Sequence, residues 1–300
     1  MNLEHIETFL CVVSNGSISS AANSLFISQS TVSNRLQLLE RELGVQLLVR
    51  QKGHRNIELT PYGESFIPIA TRWMALWKDT QNLKKHANIQ MLTIASVDAV
   101  NNYTFPPLFK QHMNQYPEIK LSINTHHSNE IHTLIENYSI DLGYVFSQVR
   151  YPDIISTPIY RENMYLVCHN DSDYHDKIST SSLNPEDEIF LPWGQDVQLW
   201  HDQHWDSDRF HLITVNTGSM LQHYLQIPNC WAIAPLSVVE ALCKVNPALT
   251  YYSLEDAPPP RTCYQLTHRH PKSHQVNAIH TFENELHAFI KQTPFLHAIE

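Results

Sequence analysis

Ser28-Gln-Ser-Thr-Val-Ser-Asn-Arg-Leu-Gln-Leu-Leu-Glu-Arg-Glu-Leu-Gly44 reads as one complete helix with its start and its stop. The Ser28 hydroxyl suits an N-cap, where it accepts an otherwise unbonded backbone N–H. Gly44 suits the left-handed residue just past a helix end. Between them Val32, Leu36, Leu39 and Leu43 recur at helical spacing and make one apolar stripe. The opposite face carries Gln29, Ser30, Ser33, Asn34 and Gln37, with Ser28 and Arg35 beside them. Neutral hydrogen-bonding side chains near a helix N-terminus are what a helix presents to base edges in the major groove of DNA.

The flanking stretches fit that reading. Residues 1 to 15 form a first helix with Leu3, Ile6, Phe9, Leu10 and Val13 on one face, ended by Asn15-Gly16. Ser17 caps a short helix, Ile18 to Leu25, in which Ala21-Ala22 permits close helix approach. Phe26-Ile27 turns the chain into Ser28, so short helix, tight turn and longer helix make a helix-turn-helix. After Gly44, residues 47 to 60 read as two short strands around a basic tip. Arg50, Lys52 and Arg55 of that wing are expected to meet phosphates or a minor groove. Thr60-Pro61 is a strong helix start. The helix it opens is expected to run to about His86, with a kink at Pro68. Phe66, Ala70, Trp73, Trp77 and Thr80 recur on it at heptad-like spacing, a seam suited to a second copy of the helix.

Net charge is −10 over 300 residues, which a nucleic-acid-binding reading must accommodate. The charge is unevenly spread. Residues 28 to 58 hold five Lys and Arg against three Glu, whereas residues 91 to 300 hold eleven against 23 acidic residues. The basic footprint is local, so tight DNA binding requires two copies acting together. No apolar run reaches the ~18 residues of a membrane span. The acidic, amphipathic start does not read as a signal peptide. Five dispersed cysteines without a Cys-x-x-Cys pattern suit a reducing compartment, the cytoplasm.

Past residue 88 the pattern changes. Met91 to Val97 is apolar on alternate residues. A helix over 105 to 114, a strand from Ile119 to Thr125, a helix from Glu130 to Glu136 and a strand from Leu142 to Phe146 follow. Alternating strands and helices imply α/β layers on a mainly parallel sheet. Tyr165 to Cys168 is expected to cross into a second lobe, and Tyr264 to Thr267 to cross back. Further elements are expected at Glu188 to Leu191, Leu212 to Val215, a helix from Ser219, Trp231 to Ala234, and a last helix from about His274 to Lys291.

Residues 1 to about 88 resemble the DNA-binding domain and linker helix of LysR-type transcriptional regulators. The matching residues include Leu3, Phe9, Ser17, Ala21-Ala22, Leu25, Ser28-Gln29-Ser30, Val32-Ser33, Leu36, Leu39-Glu40, Leu43-Gly44, Leu47-Leu48, Arg50, Leu59-Thr60 and Gly63. The remainder resembles the family's effector domain in element order. The resemblance implies an α/β protein with a winged helix-turn-helix over 1–60 and a long dimerising linker helix over 61–88. A two-lobed, periplasmic-binding-protein-like α/β effector domain would fill 89–300, with lobe one at about 89–161 and 268–300 and lobe two at about 162–267. It implies double-stranded DNA, a small-molecule effector and RNA polymerase as partners, in a homodimer or homotetramer.

Carried over by position, the cleft candidates are Ser96, Val97 and Asp98, then His127 and Ser128, then Val145 and Phe146. Pro192, Trp193, Gly194, Asn216, Thr217 and Gly218 would face them from the other lobe. Two features depart from the family pattern. Pro228-Asn229-Cys230-Trp231 stands where a glycine-rich turn is common. Asp98 stands where small hydroxyl residues are commoner, and its charge would repel an acidic effector.

Other chemistry finds little support. No Walker A loop, Gly-x-Gly-x-x-Gly or Gly-x-Ser-x-Gly elbow occurs, so an enzyme reading has no nucleophile or cofactor motif behind it. No cofactor is expected. His201-x-x-His204, His126-His127 with His132, and His268-x-His270 with His274 lack a cysteine partner or a His-Glu-x-x-His frame, and no metal site is assigned to them. The alternative is a regulator on the same scaffold that senses through a metal or a thiol. Cys230 and Cys243 lie near each other, but no Lys or Arg adjoins Cys230.

Overall fold

The computed structural model describes residues 2–49, 57–82, 90–205 and 210–299. Arg50, Lys52 and Arg55 of the expected wing tip, and the expected end of the linker helix near 88, lie outside the described residues. The chain divides into two compact units, Met1–Asn88 with Asn137–Ser139, and Ile89–Glu136 with Ile140–Glu300.

Side-chain caps set the helices of the first unit. Asn2 Oδ1 accepts the Glu4 N–H at 3.2 Å and opens α1 (Leu3–Asn15), which Gly16 ends at φ 68°. Ser17 Oγ accepts from Ser20 N at 3.1 Å and opens α2 (Ile18–Ser24). Phe26 then takes a left-handed conformation, φ 56°, and turns the chain sharply. Ser28 Oγ accepts from Thr31 N at 3.1 Å to open α3 (Gln29–Leu43), and Gly44 at φ 72° closes it. Ile6, Phe9 and Val12, Ala21 and Ala22, and Val32, Leu36 and Leu39 bury one common core. Each large side chain among them contributes about 1.5–3 kcal/mol by leaving water.

Beyond α3, β1 (Leu48–Val49) pairs antiparallel with β2 (Glu58–Leu59). Buried Glu40 fastens this ribbon to α3: its Oε1 accepts from Leu47 N at 2.9 Å and Leu48 N at 3.2 Å. Thr60 Oγ1 donates to Gln46 O at 2.6 Å and accepts from Gly63 N at 3.0 Å, capping α4 (Pro61–Asn82). Gly63 must be glycine, because a Cβ there would meet the Leu47 carbonyl oxygen at 2.1 Å.

α4 continues through Pro68 as one helix. Its faces correct the sequence reading. Phe66 (6% exposed) and Ala70 (0%) point into the unit's own core, with the Phe66 ring 5.3 Å from that of Phe9. Trp73 (43%) and Trp77 (43%) remain exposed, joined by Tyr62, Ile69 and Leu76. The heptad-like spacing is real, but α1 covers half of the expected seam, so the open stripe is rotated around the helix.

The second unit runs in chain order through β3 (Gln90–Ser96), a π-helical turn at Val100–Thr104, α5 (Pro106–Gln115), β4 (Ile119–Thr125), α6 (Ser128–Glu136), β5 (Leu142–Val145) and β6 (Ile154–Glu162). Asn163 alone separates β6 from β7 (Met164–His169), where the second lobe begins. There follow β8 (Ile189–Phe190), α7 (Gln195–His204), β9 (Ile213–Thr214), α8 (Gly218–Tyr224), β10 (Trp231–Pro235), α9 (Leu236–Val245) and β11 (Leu249–Tyr252). The chain returns with β12 (Arg261–His268), α10 (Val276–Gln292) and β13 (His297–Ala298).

The first lobe is a six-stranded sheet in the order β13-β6-β12-β5-β3-β4. Only β3 with β4 and β3 with β5 are parallel; β12 runs antiparallel to both its neighbours. The sheet is therefore mixed rather than mainly parallel, because the returning strand β12 runs against β5 and β6, and β13 runs against β6. α5 and α10 cover one face over Phe105, Tyr144 and Phe282, and α6 covers the other over Ile131 and Ile135. Buried His112 of α5 pairs with Glu285 of α10 across the first of these layers. In the second lobe β7 lies between β10 and β11, both antiparallel to it. The return to the first sheet occurs at Arg261, earlier than the expected crossing at Tyr264 and lobe boundary at 268. The turn before β10 places Asn229 at φ 63°, so asparagine serves a left-handed position of the kind that glycine most often fills.

Candidate functional site

In the first unit, the capped α3 leaves Ser28, Gln29, Ser30, Asn34 and Gln37 exposed and Ser33 half-buried, while Val32, Leu36 and Leu39 anchor its other face. Arg35 does not join that front. Its Nη2 bonds Glu4 Oε2 at 2.5 Å, and its Nη1 donates to Thr8 Oγ1 at 3.4 Å, so α1 holds it. Its position on the helix turns it toward the acidic first turn of α1.

In the second unit, a cavity of about 620 Å³ opens between the two lobes. Val97, Asp98, His127, Ser128 and Phe146 border it from the first lobe, and Trp193, Gly194 and Thr217 from the second. Asp98 spans the two. Its Oδ2 accepts the Gly218 N–H at 3.1 Å, at the start of α8, and its Oδ1 accepts from Asn102 Nδ2 at 2.6 Å. Gly218 allows this approach: a Cβ there would lie 3.1 Å from the Tyr103 ring and 3.5 Å from that of Trp193. Burial, reinforced by the Asp98 charge, pushes the Tyr103 hydroxyl up to about 12. At the start of α6, Glu130 Oε2 accepts the His127 N–H at 3.2 Å and lies 3.3 Å from His126 Nδ1. Chiefly that backbone N–H holds the Glu130 carboxyl below its usual range.

The cavity's cationic side chain is Arg261, the first residue of β12. Its guanidinium lies 3.6 Å above the Phe146 ring and 4.9 Å from the Trp193 ring. Trp193 is fixed in turn by its Nε1, which donates to Ile233 O at 2.5 Å. Burial lowers Arg261 to about 10, against the pull of nearby Glu162. Its Nε and Nη1 have no hydrogen-bond partner among the described residues.

Residues 3–64 match the family model described as the bacterial regulatory helix-turn-helix protein, lysR family, and residues 87–288 match the LysR substrate binding domain. The chain belongs to the LysR family. It is 33% identical over 166 residues to the HTH-type transcriptional regulator YofA of Bacillus velezensis, covering 54% of this chain and 56% of that protein. With the regulator cbl of Escherichia coli it shares 29% over 161 residues, 51% of this chain and 50% of that protein. It thus aligns with about half the length of these curated relatives. Among solved structures, full-length CbnR complexed with its target DNA superposes with a TM-score of 0.69 at 19% identity, covering 96% of this chain and 100% of that one. A full-length cysteine-to-aspartate variant of OxyR from Pseudomonas aeruginosa gives 0.66 at 19%, covering 95% and 94%. At these identities the likeness concerns the LysR-type fold.

Two of the residues carried over from the LysR family lie outside the cavity. Ser96 is fully buried, with its hydroxyl on Asn101 Oδ1, and Val145 packs under α6. Strand alternation explains both, since the cavity is met by the next residues, Val97 and Phe146. The carried-over set omitted Arg261, Thr262, Tyr264 and Glu130, which also line the cavity. The signal for Arg261 was present. Pro258-Pro259-Pro260 delivers the chain rigidly to that position, and a charged residue opening an interlobe strand is worth noting.

The Asp98 contact has a direct readout. Asp98→Ala should free the Gly218 amide, and exchange across Gly218–Tyr224 should quicken roughly tenfold or more, as loss of a charged hydrogen bond implies. Hydrogen–deuterium exchange checks it; unchanged exchange would mean that the contact does not hold the lobes.

Proposed function

We propose that this protein is a DNA-binding transcriptional regulator, acting as a homo-oligomer in the cytoplasm, whose output is set by a small polar molecule in the interlobe cavity. The observation that carries the reading is α3: a capped helix with a neutral polar front, anchored on its other side by Val32, Leu36 and Leu39. YofA and cbl are named transcriptional regulators, and the CbnR structure contains target DNA, which supports the same role here. The basic residues beyond β1 would add phosphate contacts, and RNA polymerase is the natural recipient of the signal. Nothing favours a thiol sensor: burial pushes Cys168 and Cys263 up to about 12 and raises Cys230 and Cys243. That is the opposite of a reactive thiolate.

The cavity supports a class of effector. Its two helix starts at α6 and α8 already hold the chain's own carboxylates, Glu130 and Asp98. An incoming anion would therefore go to Arg261, whose unbonded N–H groups need an acceptor. Asp98, Glu130 and Asp196 border the remaining space, which favours a molecule that also carries donors or positive charge. A small zwitterion fits both requirements. The Trp193 ring, which also lines the cavity, lies beside Arg261.

Three outcomes follow. Gln29→Ala should retain the fold and cut discrimination at one base position by about 1–3 kcal/mol, read by fluorescence anisotropy on the protein's own upstream DNA against single-base variants. Unaltered discrimination would remove Gln29 from the reading face. Trp73→Glu with Leu76→Glu should give monomers by light scattering, since the open stripe of α4 is the proposed dimer seam; persistent dimers would place the seam elsewhere. In calorimetry with amino acids and small carboxylates, Arg261→Gln should lose a hundredfold or so in affinity for the best binder. Equal affinity in a variant of unchanged melting temperature would put the anion elsewhere.

A further inference from the structure

The second lobe carries a convergent set of donor atoms outside the cavity. Glu188 precedes β8, His201 lies in the last turn of α7 and His211 precedes β9. His201 Nε2 is 2.8 Å from Glu188 Oε2, and His211 Nδ1 is 3.1 Å from the same oxygen. One donor atom from each residue falls within 4.8 Å of the others. Glu188 is 2% exposed and His201 5%. Among the described residues, the ionic partners of Glu188 are these two imidazoles.

Hydrogen bonding alone does not account for the arrangement. His201 can donate to Glu188. His211 Nδ1, though close, is out of line and makes no hydrogen bond. A buried carboxylate with two imidazole nitrogens turned toward one point is the donor set of a borderline-soft divalent ion. In a tetrahedral zinc site, donors about 2.0–2.1 Å from the metal lie about 3.4 Å from one another. The two imidazole–carboxylate separations, 2.8 and 3.1 Å, fall a little short of that value, and all three donor atoms lie within 4.8 Å of one another, so an ion would need only a small outward shift of the ligands. Supporting groups are also in place. Phe190 stacks on His211 at 4.3 Å and 9°, and it packs on His201 at 4.8 Å. Trp205 packs on the His201 ring at 4.8 Å. Asp202 Oδ1 lies 3.9 Å from His201 Nδ1, the side on which the ring would keep its proton once Nε2 gives its lone pair to a metal.

We propose that Glu188, His201 and His211 form a zinc-class divalent-metal site in the second lobe, with a fourth position left to solvent. The site would tie the last turn of α7 to the starts of β8 and β9. The first turn of the same helix, with Gln195 and Asp196, borders the cavity about 9 Å along the axis from His201. Metal at one end thereby holds a wall of the cavity at the other. His204, three residues on from His201, takes no part: its Nδ1 is on Trp200 O at 2.8 Å.

The test uses the full-length chain stripped with EDTA and titrated with Co²⁺, then Zn²⁺. The expected result is one Co²⁺ per chain, visible d–d absorption of a four-coordinate nitrogen–oxygen site, displacement by Zn²⁺, and a melting temperature raised by several degrees. His204→Ala should retain all of this. Glu188→Gln with His211→Gln should lose the band and the stoichiometric ion, leaving the weak surface binding expected of a chain with 19 histidines. If the wild type gains neither the band nor the melting shift, there is no site, whatever the variants do. If the double variant keeps the band, the ligands are other residues. Either result overturns the proposal.

Discussion

A buried guanidinium governs the second unit. Arg261 stands opposite Glu162 in the β12–β6 register, so the opposite charges sit together where the chain leaves the first lobe and where it returns. Desolvating each ion costs several kcal/mol. Three things offset that cost. Phe146 and Trp193 supply aromatic faces, each contact being about 2 kcal/mol when dry. Glu162 receives the Ser237 N–H, at the start of α9. The two charges attract. Burial still wins in part, raising Glu162 and lowering Arg261. The crossing is thus held by polar groups that need one another, and it places a charged fork at the back of the cavity.

Two of the cavity's acidic side chains are engaged by its helix starts. Asp98 reaches across to α8, and Glu130 folds back onto α6. A helix start attracts anions through its free N–H groups. When a side chain of the same protein takes that place, the site changes from one that invites an anion to one that must be opened. The cavity therefore differs in charge pattern from one lined by hydroxyls and free amides, although its frame is the same.

The first unit was legible because its signals are local. Ser17, Ser28, Gly16, Gly44 and the Thr60-Pro61 pair each act within a turn of their own position, and the structure uses each at that place. The choice of face on α4 was not legible. Periodicity shows that a stripe exists, but which stripe α1 covers is settled by tertiary packing, and Phe66 and Ala70 went inward. Arg35 shows the same limit, since Glu4 comes from another helix. In the second unit, strand order came from distant pairings, so the antiparallel placement of β12 carried no sequence mark. Ser96 and Val145 fell one residue short of the cavity, which strand alternation explains, whereas Arg261 and Tyr264 belong to the returning strand and were not among the expected positions. Glu188, His201 and His211 come from three elements and share no spacing rule.

Gly63 has a mechanical consequence. With no side chain between its backbone and the Leu47 carbonyl, and with Thr60 bonded to Gln46, the ribbon and the first turn of α4 share one backbone anchor. Glu40 adds α3 to the same anchor through Leu47 and Leu48. Ribbon, α3 and the root of α4 are therefore a single stiff bracket with α4 as its shaft. The exposed stripe of α4 and the polar front of α3 thus belong to one bonded piece, joined through Gly63, Thr60 and Glu40.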